Sequence, residues 1–179
     1  MSSGRAELVL DADVLMNLLA TDHLREVLQA SLSQGLVCPR TEAEAIYLES
    51  RTPGSTRETI DLAPHIAAGT LARISLDRRE TATYVQLAVE VDDGEAQVLA
   101  VGHQRGLVIA TDDRRARRVA IRLGVRVLAT PELIIAWAQA GTAQAIEVAQ
   151  AISDIEARAR YRPRATDPSR PAWDALKGP

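Results

Sequence analysis

Apolar positions along this chain change spacing again and again, from short continuous runs to runs three and four residues apart. Ala6 to Leu10 reads as a buried strand. Val14 to Leu19 is too densely apolar for a half-exposed element and reads as a short buried helix. Asp22 can cap a second helix through Leu32, with Leu24, Val27, Leu28 and Leu32 at helical spacing and Gly35 as its end. Leu36 to Cys38 is a second strand. Thr41 to Ser50 reads as a helix broken by Pro53-Gly54, and Thr56 to Ala68 as another, with Pro64 arguing for an irregular turn. Leu71 to Leu76 alternates apolar and polar residues as a strand does. Asp77 can cap a helix to about Val91, and Asp92 or Asp93 the next one, which Gly106 stops. Leu107 to Ala110 is the clearest strand, followed by a helix over Asp113 to Leu123 and a strand over Val125 to Leu128. Thr130-Pro131 opens a helix in the favoured order of cap then proline. Thr142 to about Tyr161 is a last long helix. Four prolines and several charges from Pro163 to Pro179 predict an extended, partly disordered tail.

Strands alternating with helices imply a parallel sheet covered on both faces. In such sheets ligands sit outside the carboxyl ends of the strands. The length fits one domain over residues 1–150, leaving the end of a helix and a Pro/Arg-rich tail over 151–179. The apolar content of 46% is ample for a core, filled by Ala, Leu, Val and Ile because Phe is absent and Trp and Tyr number only 2 and 3. Few aromatics leave few platforms for stacking bases. The net charge of −3 argues against non-specific coating of nucleic acid. All basic residues except Lys177 are arginines, which offer a rigid fork to phosphate or carboxylate. The single Cys38 excludes an intramolecular disulfide and a cysteine zinc cluster, and reads as a buried, inert thiol. No apolar stretch approaches the roughly 20 residues of a membrane span. Residues 1–15 show no signal-peptide pattern, so the expectation is a cytoplasmic protein with no membrane partner.

Four acidic clusters change the picture: Asp11-Ala12-Asp13, Glu42/Glu44, Asp92-Asp93-Gly94-Glu95 and Asp112-Asp113. Asp11 follows the run Leu8-Val9-Leu10, and Asp112-Asp113 follow Leu107 to Thr111. Carboxylates at the ends of buried strands repel one another unless a cation or protons compensate. Hydrolysis of a phosphodiester needs a nucleophile formed near neutral pH and compensation of charge on phosphorus, and hard divalent ions held by carboxylates supply both. Each cluster has a plainer reading. Asp11 or Asp13 can cap the following helix. Thr41 and Glu44 fit a capping box as well as Glu44 fits a ligand. Glu95 sits where a helix dipole favours an acid. Arg114, Arg115, Arg117 and Arg118 form either a solvated face or a phosphate-steering edge. His23, His65 and His103 lack ligand spacing, and no Gly-rich phosphate loop or nucleophile elbow is present.

Taken in order, five segments resemble the PIN-domain ribonucleases, and among them the VapC-like toxin group. They are Leu8-Val9-Leu10-Asp11-Ala12-Asp13-Val14-Leu15, the segment from Cys38 to Leu48, Asp93-Gly94-Glu95-Ala96 with Leu99-Ala100, the segment from Val108 to Arg117, and a strand ending near Thr130-Pro131. The resemblance runs from about residue 7 to 131. It implies a three-layer α/β/α PIN-like fold with a central parallel sheet of four to five strands. It implies a catalytic four-acid site of Asp11, Glu44, Glu95 and Asp113, with Asp112 as an additional metal ligand. Thr111 matches the family's hydroxyl residue before the acid pair, and Thr111, Arg114 and Arg115 are the implied substrate contacts. The implied activity is Mg²⁺- or Mn²⁺-dependent endonucleolytic cleavage of RNA, with metal-activated water attacking phosphorus. A homodimer and an antitoxin protein are the implied partners beside the RNA substrate. Ala12 and Asp13 depart from the family, which often has Ser or Thr after the first Asp.

Two other readings compete. Asp11-Ala12-Asp13 with Asp112-Asp113 also resembles the haloacid dehalogenase-like phosphatases, against which stand Leu15 and the absence of a mid-chain Lys. A catalytically degenerate PIN fold serving as a binding module is the non-enzymatic reading.

Overall fold

The computed structural model describes residues 6–31, 33–52 and 54–178. Leu32, Pro53 and Pro179, which entered the readings of the second helix, the break after Ser50 and the tail, lie outside the described residues. The chain opens with β1 (Ala6–Leu10), α1 (Ala12–Ala20), α2 (Leu24–Ala30) and β2 (Ser33–Val37). Next come α3 (Pro39–Glu44), β3 (Tyr47–Glu49), β4 (Arg57–Thr59), α4 (Ala63–Ala67) and β5 (Leu71–Arg73). Then follow α5 (Arg78–Leu87), α6 (Asp93–Arg105), β6 (Val108–Ala110), α7 (Arg114–Arg122) and β7 (Val127–Leu128). The chain closes with α8 (Thr130–Gln139), α9 (Ala145–Asp154), a π-helical turn (Ile155–Ala159) and α10 (Arg170–Lys177).

The central sheet has five strands in the order β5-β2-β1-β6-β7, all parallel. Each predicted strand contributes one. Strand alternation splits the core in two. Leu8, Leu10, Val37 and Ala110 face one way with α1, α2, α8 and α9, whereas Val9, Leu36 and Ile109 face the other way with α5, α6 and α7. This is the expected three-layer α/β/α architecture. Leu10 pairs with both Val37 and Ala110, and Ala110 with Leu128, so β1, β2, β6 and β7 end level with one another. Residues 11, 38, 111 and 129 therefore leave the sheet along one edge.

Local chemistry explains most boundaries. Asp77 caps α5 by accepting from Arg79 N and Glu80 N, while Glu80 returns to Asp77 N at 2.7 Å. Gly106 ends α6 in the left-handed region at φ 66°, where a Cβ would be strained. The predicted helix over Thr41 to Ser50 is corrected. It starts earlier, at Pro39, and stops at Glu44, and residues 47–49 instead pair antiparallel with 57–59. The same hairpin displaces the helix predicted over Thr56 to Ala68, of which only α4 remains. Leu48 turns into the core, and the Arg57 guanidinium lies 3.9 Å over the Tyr47 ring, so pairing and burial together override helix propensity.

The tail also differs from expectation. After the π-helical turn the chain forms α10, whose Trp173 is fully buried and donates from Nε1 to Glu156 at 3.0 Å. Arg158, in the π-helical turn, is buried and binds Ala20 O and Glu58, tying α1 to the hairpin. Among the described residues no helix is long and apolar enough to cross a membrane.

Candidate functional site

At the shared edge of the sheet β1 and β6 end in acids, α3 after β2 carries another, and the start of α6 brings a fourth. β1 delivers Asp11, which is buried. Its Oδ1 accepts from Ala12 N at 2.8 Å, as the N-cap of α1, and its Oδ2 accepts from Thr111 Oγ1 at 2.9 Å. Burial is the main reason its pKa rises to about 6. The two hydrogen bonds oppose that rise, and the charges of Asp13 and Glu44 add to it. Asp13, in the first turn of α1, is pushed up by partial desolvation against its neighbours and by Asp113.

Glu44 is not part of a capping box. It is the last residue of α3, whose N-cap is Cys38, and Thr41 instead donates to Leu10 O at 3.1 Å. Its pKa is raised by desolvation and by Asp13, Asp93 and Asp92, while Arg40 opposes them. An ion pair of Arg40 with Asp93 at 3.0 Å, and a bond from Arg40 N to Gln97, clip α3 to the start of α6. There Gly94 leaves room for the Glu44 carboxylate, the end of a flexible side chain that a Cβ at that position would displace. Glu95 follows, reaching back to Asp92 N at 3.2 Å. Desolvation first, and then Asp113 and Asp11, push its carboxyl up to about 7.

β6 delivers Thr111, Asp112 and Asp113, and the two acids differ. Asp112 accepts from Asn17 Nδ2 at 2.9 Å, from Thr130 N at 2.9 Å and Oγ1 at 2.6 Å, and from Tyr161 OH at 3.1 Å. Four donors from three elements make it a structural hub with little left to offer an ion. Desolvation still leaves its pKa raised. Asp113 caps α7: its Oδ1 accepts from Arg115 N at 2.6 Å and Ala116 N at 2.8 Å, and among the described residues Oδ2 has no hydrogen-bond donor.

The structure thus links the acids in a chain of charge: Asp11 feels Asp13 and Glu44, Glu95 feels Asp113 and Asp11, and Asp13 feels Asp113. Asp13 carries no ligand role in the sequence alone; its position two residues after Asp11 is the available signal. Among the described residues no three acidic, His or Cys side chains stand together as a ready-made metal cage. An open cavity of about 830 Å³ lies beside the acids, lined by Asp13, Asp92, Glu95, Asp112 and Asp113 but not by Asp11 or Glu44. Arg114 lines it too. Arg115 does not, and stands near Glu90. Thr111 is buried and touches Asp11 and Asp113 N, so its place is to orient the acids. Sequence reasoning missed Asn17, Thr130 and Tyr161. Asn17 had a signal, an amide inside the apolar run of α1.

Two carboxyls pushed toward neutrality and three more beside them form a site short of positive charge. The donors are all carboxylate oxygen, which suits a hard divalent ion such as Mg²⁺ or Mn²⁺. Cys38 is fully buried, and burial pushes its thiol up to about 12, so it adds no soft ligand. A family model described as a PIN domain matches residues 7–166. No curated protein matches the chain.

Proposed function

The chain belongs to the PIN-domain family, and from that premise we propose that it is a metal-dependent endoribonuclease whose acids are Asp11, Glu44, Glu95 and Asp113, with Asp13 beside them. Membership of that family leaves the haloacid dehalogenase-like resemblance without support. The observation that carries the reading is the crowding of these carboxylates at one sheet edge, with Asp11 raised to about 6 and Glu95 to about 7. Asp11, Glu44, Glu95 and Asp113 would hold Mg²⁺ or Mn²⁺. When bound, such an ion supplies activation of water near neutral pH and compensation of charge on the phosphate.

The protein's own groups prepare that site. Thr111 donates to Asp11 and holds its carboxylate in one orientation. The α7 amides fix Asp113 through Oδ1 so that Oδ2 faces away from them. Arg40 holds Asp93 and keeps α3 and α6 together, which places Glu44 opposite Gly94. Asp112, saturated by its four donors, locks β6 to α1, α8 and Tyr161 rather than acting as a ligand.

The test is RNA cleavage with Mg²⁺ or Mn²⁺ by the wild type and Asp11→Asn, paired with calorimetric titration of Mn²⁺. The reading expects cleavage and tight Mn²⁺ binding by the wild type alone. Equal Mn²⁺ affinity in both proteins would sink the metal site, and metal binding without cleavage would leave a binding module. Induced expression separates two roles of an active enzyme. Growth arrest relieved by Asp113→Ala assigns the toxin of a toxin–antitoxin pair, and unaffected growth assigns a processing enzyme.

A further inference from the structure

Between α9 and α10 the backbone leaves its ordinary range twice in close succession. At Ile155 the helix widens into the π-helical turn (Ile155–Ala159), a form that is rare outside functional sites. Arg160 then adopts φ 56° and ψ 31°, a left-handed conformation that a residue with a Cβ takes only at a steric cost. The Arg160 and Tyr161 amides both return to Ile155 O, the second at 3.4 Å. Tyr161 follows at once, and its hydroxyl donates to Asp112 Oδ1 at 3.1 Å. Backbone of this kind persists only where its surroundings over-determine it. Here they do. Arg158 is buried and donates to Ala20 O at 2.8 Å on one side, and Arg170 Nη1 donates to Pro163 O at 2.8 Å on the other. The Tyr161 ring meets the fully buried Trp173 edge-on at 6.0 Å.

The position of that hydroxyl decides what it does. Asp112 Oδ2 accepts from Asn17 Nδ2 of α1 and Thr130 Oγ1 of α8, whereas Oδ1 accepts from Thr130 N and Tyr161 OH. Tyr161 is thus the donor that the C-terminal segment contributes. Asp112 stands between Thr111 and Asp113. The Thr111 hydroxyl donates to Asp11 and accepts from Asp113 N at 3.2 Å, and Asp113 caps α7. A carboxylate held by four donors cannot turn, and the peptide units on either side of it are held with it. We propose that Tyr161 is a positioning residue, delivered by the π-helical turn and Arg160 to brace Asp112, and through it the β6–α7 turn that sets Thr111 and Asp113. Tyr161 acts through Asp112 and ligates nothing itself. That the braced acids hold Mg²⁺ or Mn²⁺ rests on the nuclease reading; the brace itself rests on the hydrogen bonds and the backbone that places them. The C-terminal segment is then part of the framework of the site.

The test compares the full wild-type chain with Tyr161→Phe, which removes the hydroxyl and keeps the ring against Trp173. Amide hydrogen exchange of the metal-free proteins follows the turn directly. Exchange is expected to quicken at residues 111–116 and to match the wild type in α5 and β5. Calorimetric titration of Mn²⁺, well below the melting midpoint, is expected to show affinity about tenfold weaker. Asp112→Asn should weaken binding as well, and adding Tyr161→Phe to it should cause no further loss, because both changes break one link. Unchanged exchange at 111–116 overturns the brace. So does a rise spread evenly over the chain, which a hydroxyl serving only overall stability would give. Losses that multiply in the double variant overturn the action through Asp112. Intact Mn²⁺ affinity in a Tyr161→Phe protein whose turn has loosened overturns its role toward the site. Quickened exchange at 111–116 in a chain whose wild type binds no Mn²⁺ keeps the brace and removes the metal reading. Tyr161→Phe decides the brace alone if Asp112→Asn does not fold.

Discussion

Asp11 and Glu95 illustrate how burial turns an ordinary acid into one that needs a cation. Both carboxyls are raised, to about 6 and about 7, chiefly by desolvation and then by their acidic neighbours. The sign of the resulting pH dependence follows. The folded chain without metal holds more protons than the unfolded chain between about pH 4 and 7, so its stability falls as pH rises through that window. For Asp11 alone the shift corresponds to about 3 kcal/mol. Urea melts of the metal-free protein at pH 5 and pH 8 should show the pH 5 form as the more stable, and Asp11→Asn should flatten that difference. Mn²⁺ affinity should move the other way, falling as pH drops below about 7 because the ion must displace those protons. Thr111 acts through Asp11. Thr111→Val removes a donor that favours the ionised carboxylate, and should weaken Mn²⁺ binding about 10-fold, while Thr111→Ser restores it. Asp11 and the Asp112-Asp113 pair were legible as residues because acids directly after buried strands are costly without a purpose. The division of labour within the pair was not. Only Asn17, Thr130 and Tyr161, distant in sequence, show that Asp112 is a hub and Asp113 a cap with a spare oxygen.

Helix α6 carries two glycines whose surroundings assign them different work. At Gly94 a Cβ would meet only the mobile end of Glu44, whereas at Gly102 it would press into Ile109 Cγ2 and come within 3.2 Å of Val125 Cγ1 in the core. Gly94→Ala should leave stability within about 1 kcal/mol of wild type, because better helix propensity offsets the displaced side chain. It should still weaken Mn²⁺ binding several-fold by moving the Glu44 carboxylate. Gly102→Ala should instead destabilise by about 1–3 kcal/mol, with metal affinity in the folded fraction unchanged. Denaturant melts and Mn²⁺ titration of the two variants separate the effects. Among the elements, those with strong local signals were legible: the five strands of the sheet, α6 ending at Gly106, and α8, although its N-cap is Ala129 and Thr130 is its first helical residue. The β3–β4 hairpin was not. Its strands are three residues each, and their pairing partners lie on either side of a break that local propensity reads as helix, loop, helix.

At the scale of the whole molecule, the C-terminal segment is part of the fold. Trp173 is fully buried against the α8 and α9 side of the sheet, and Lys177 and Trp173 both bind Glu156. Trp173→Ala should destabilise the protein by about 3–5 kcal/mol, read by urea unfolding, a loss that an extended tail would not produce. The sequence by itself determined the alternation of strands and helices, the parallel sheet and the acids at strand ends, because periodicity and local charge are properties of neighbouring residues. Tertiary structure alone decided which acids face one another and which are capped or saturated. It also set Asp13 among them and brought Tyr161 up to Asp112. Those outcomes depend on register across the sheet and on burial of a distant tryptophan, and neither is written in any one stretch of chain.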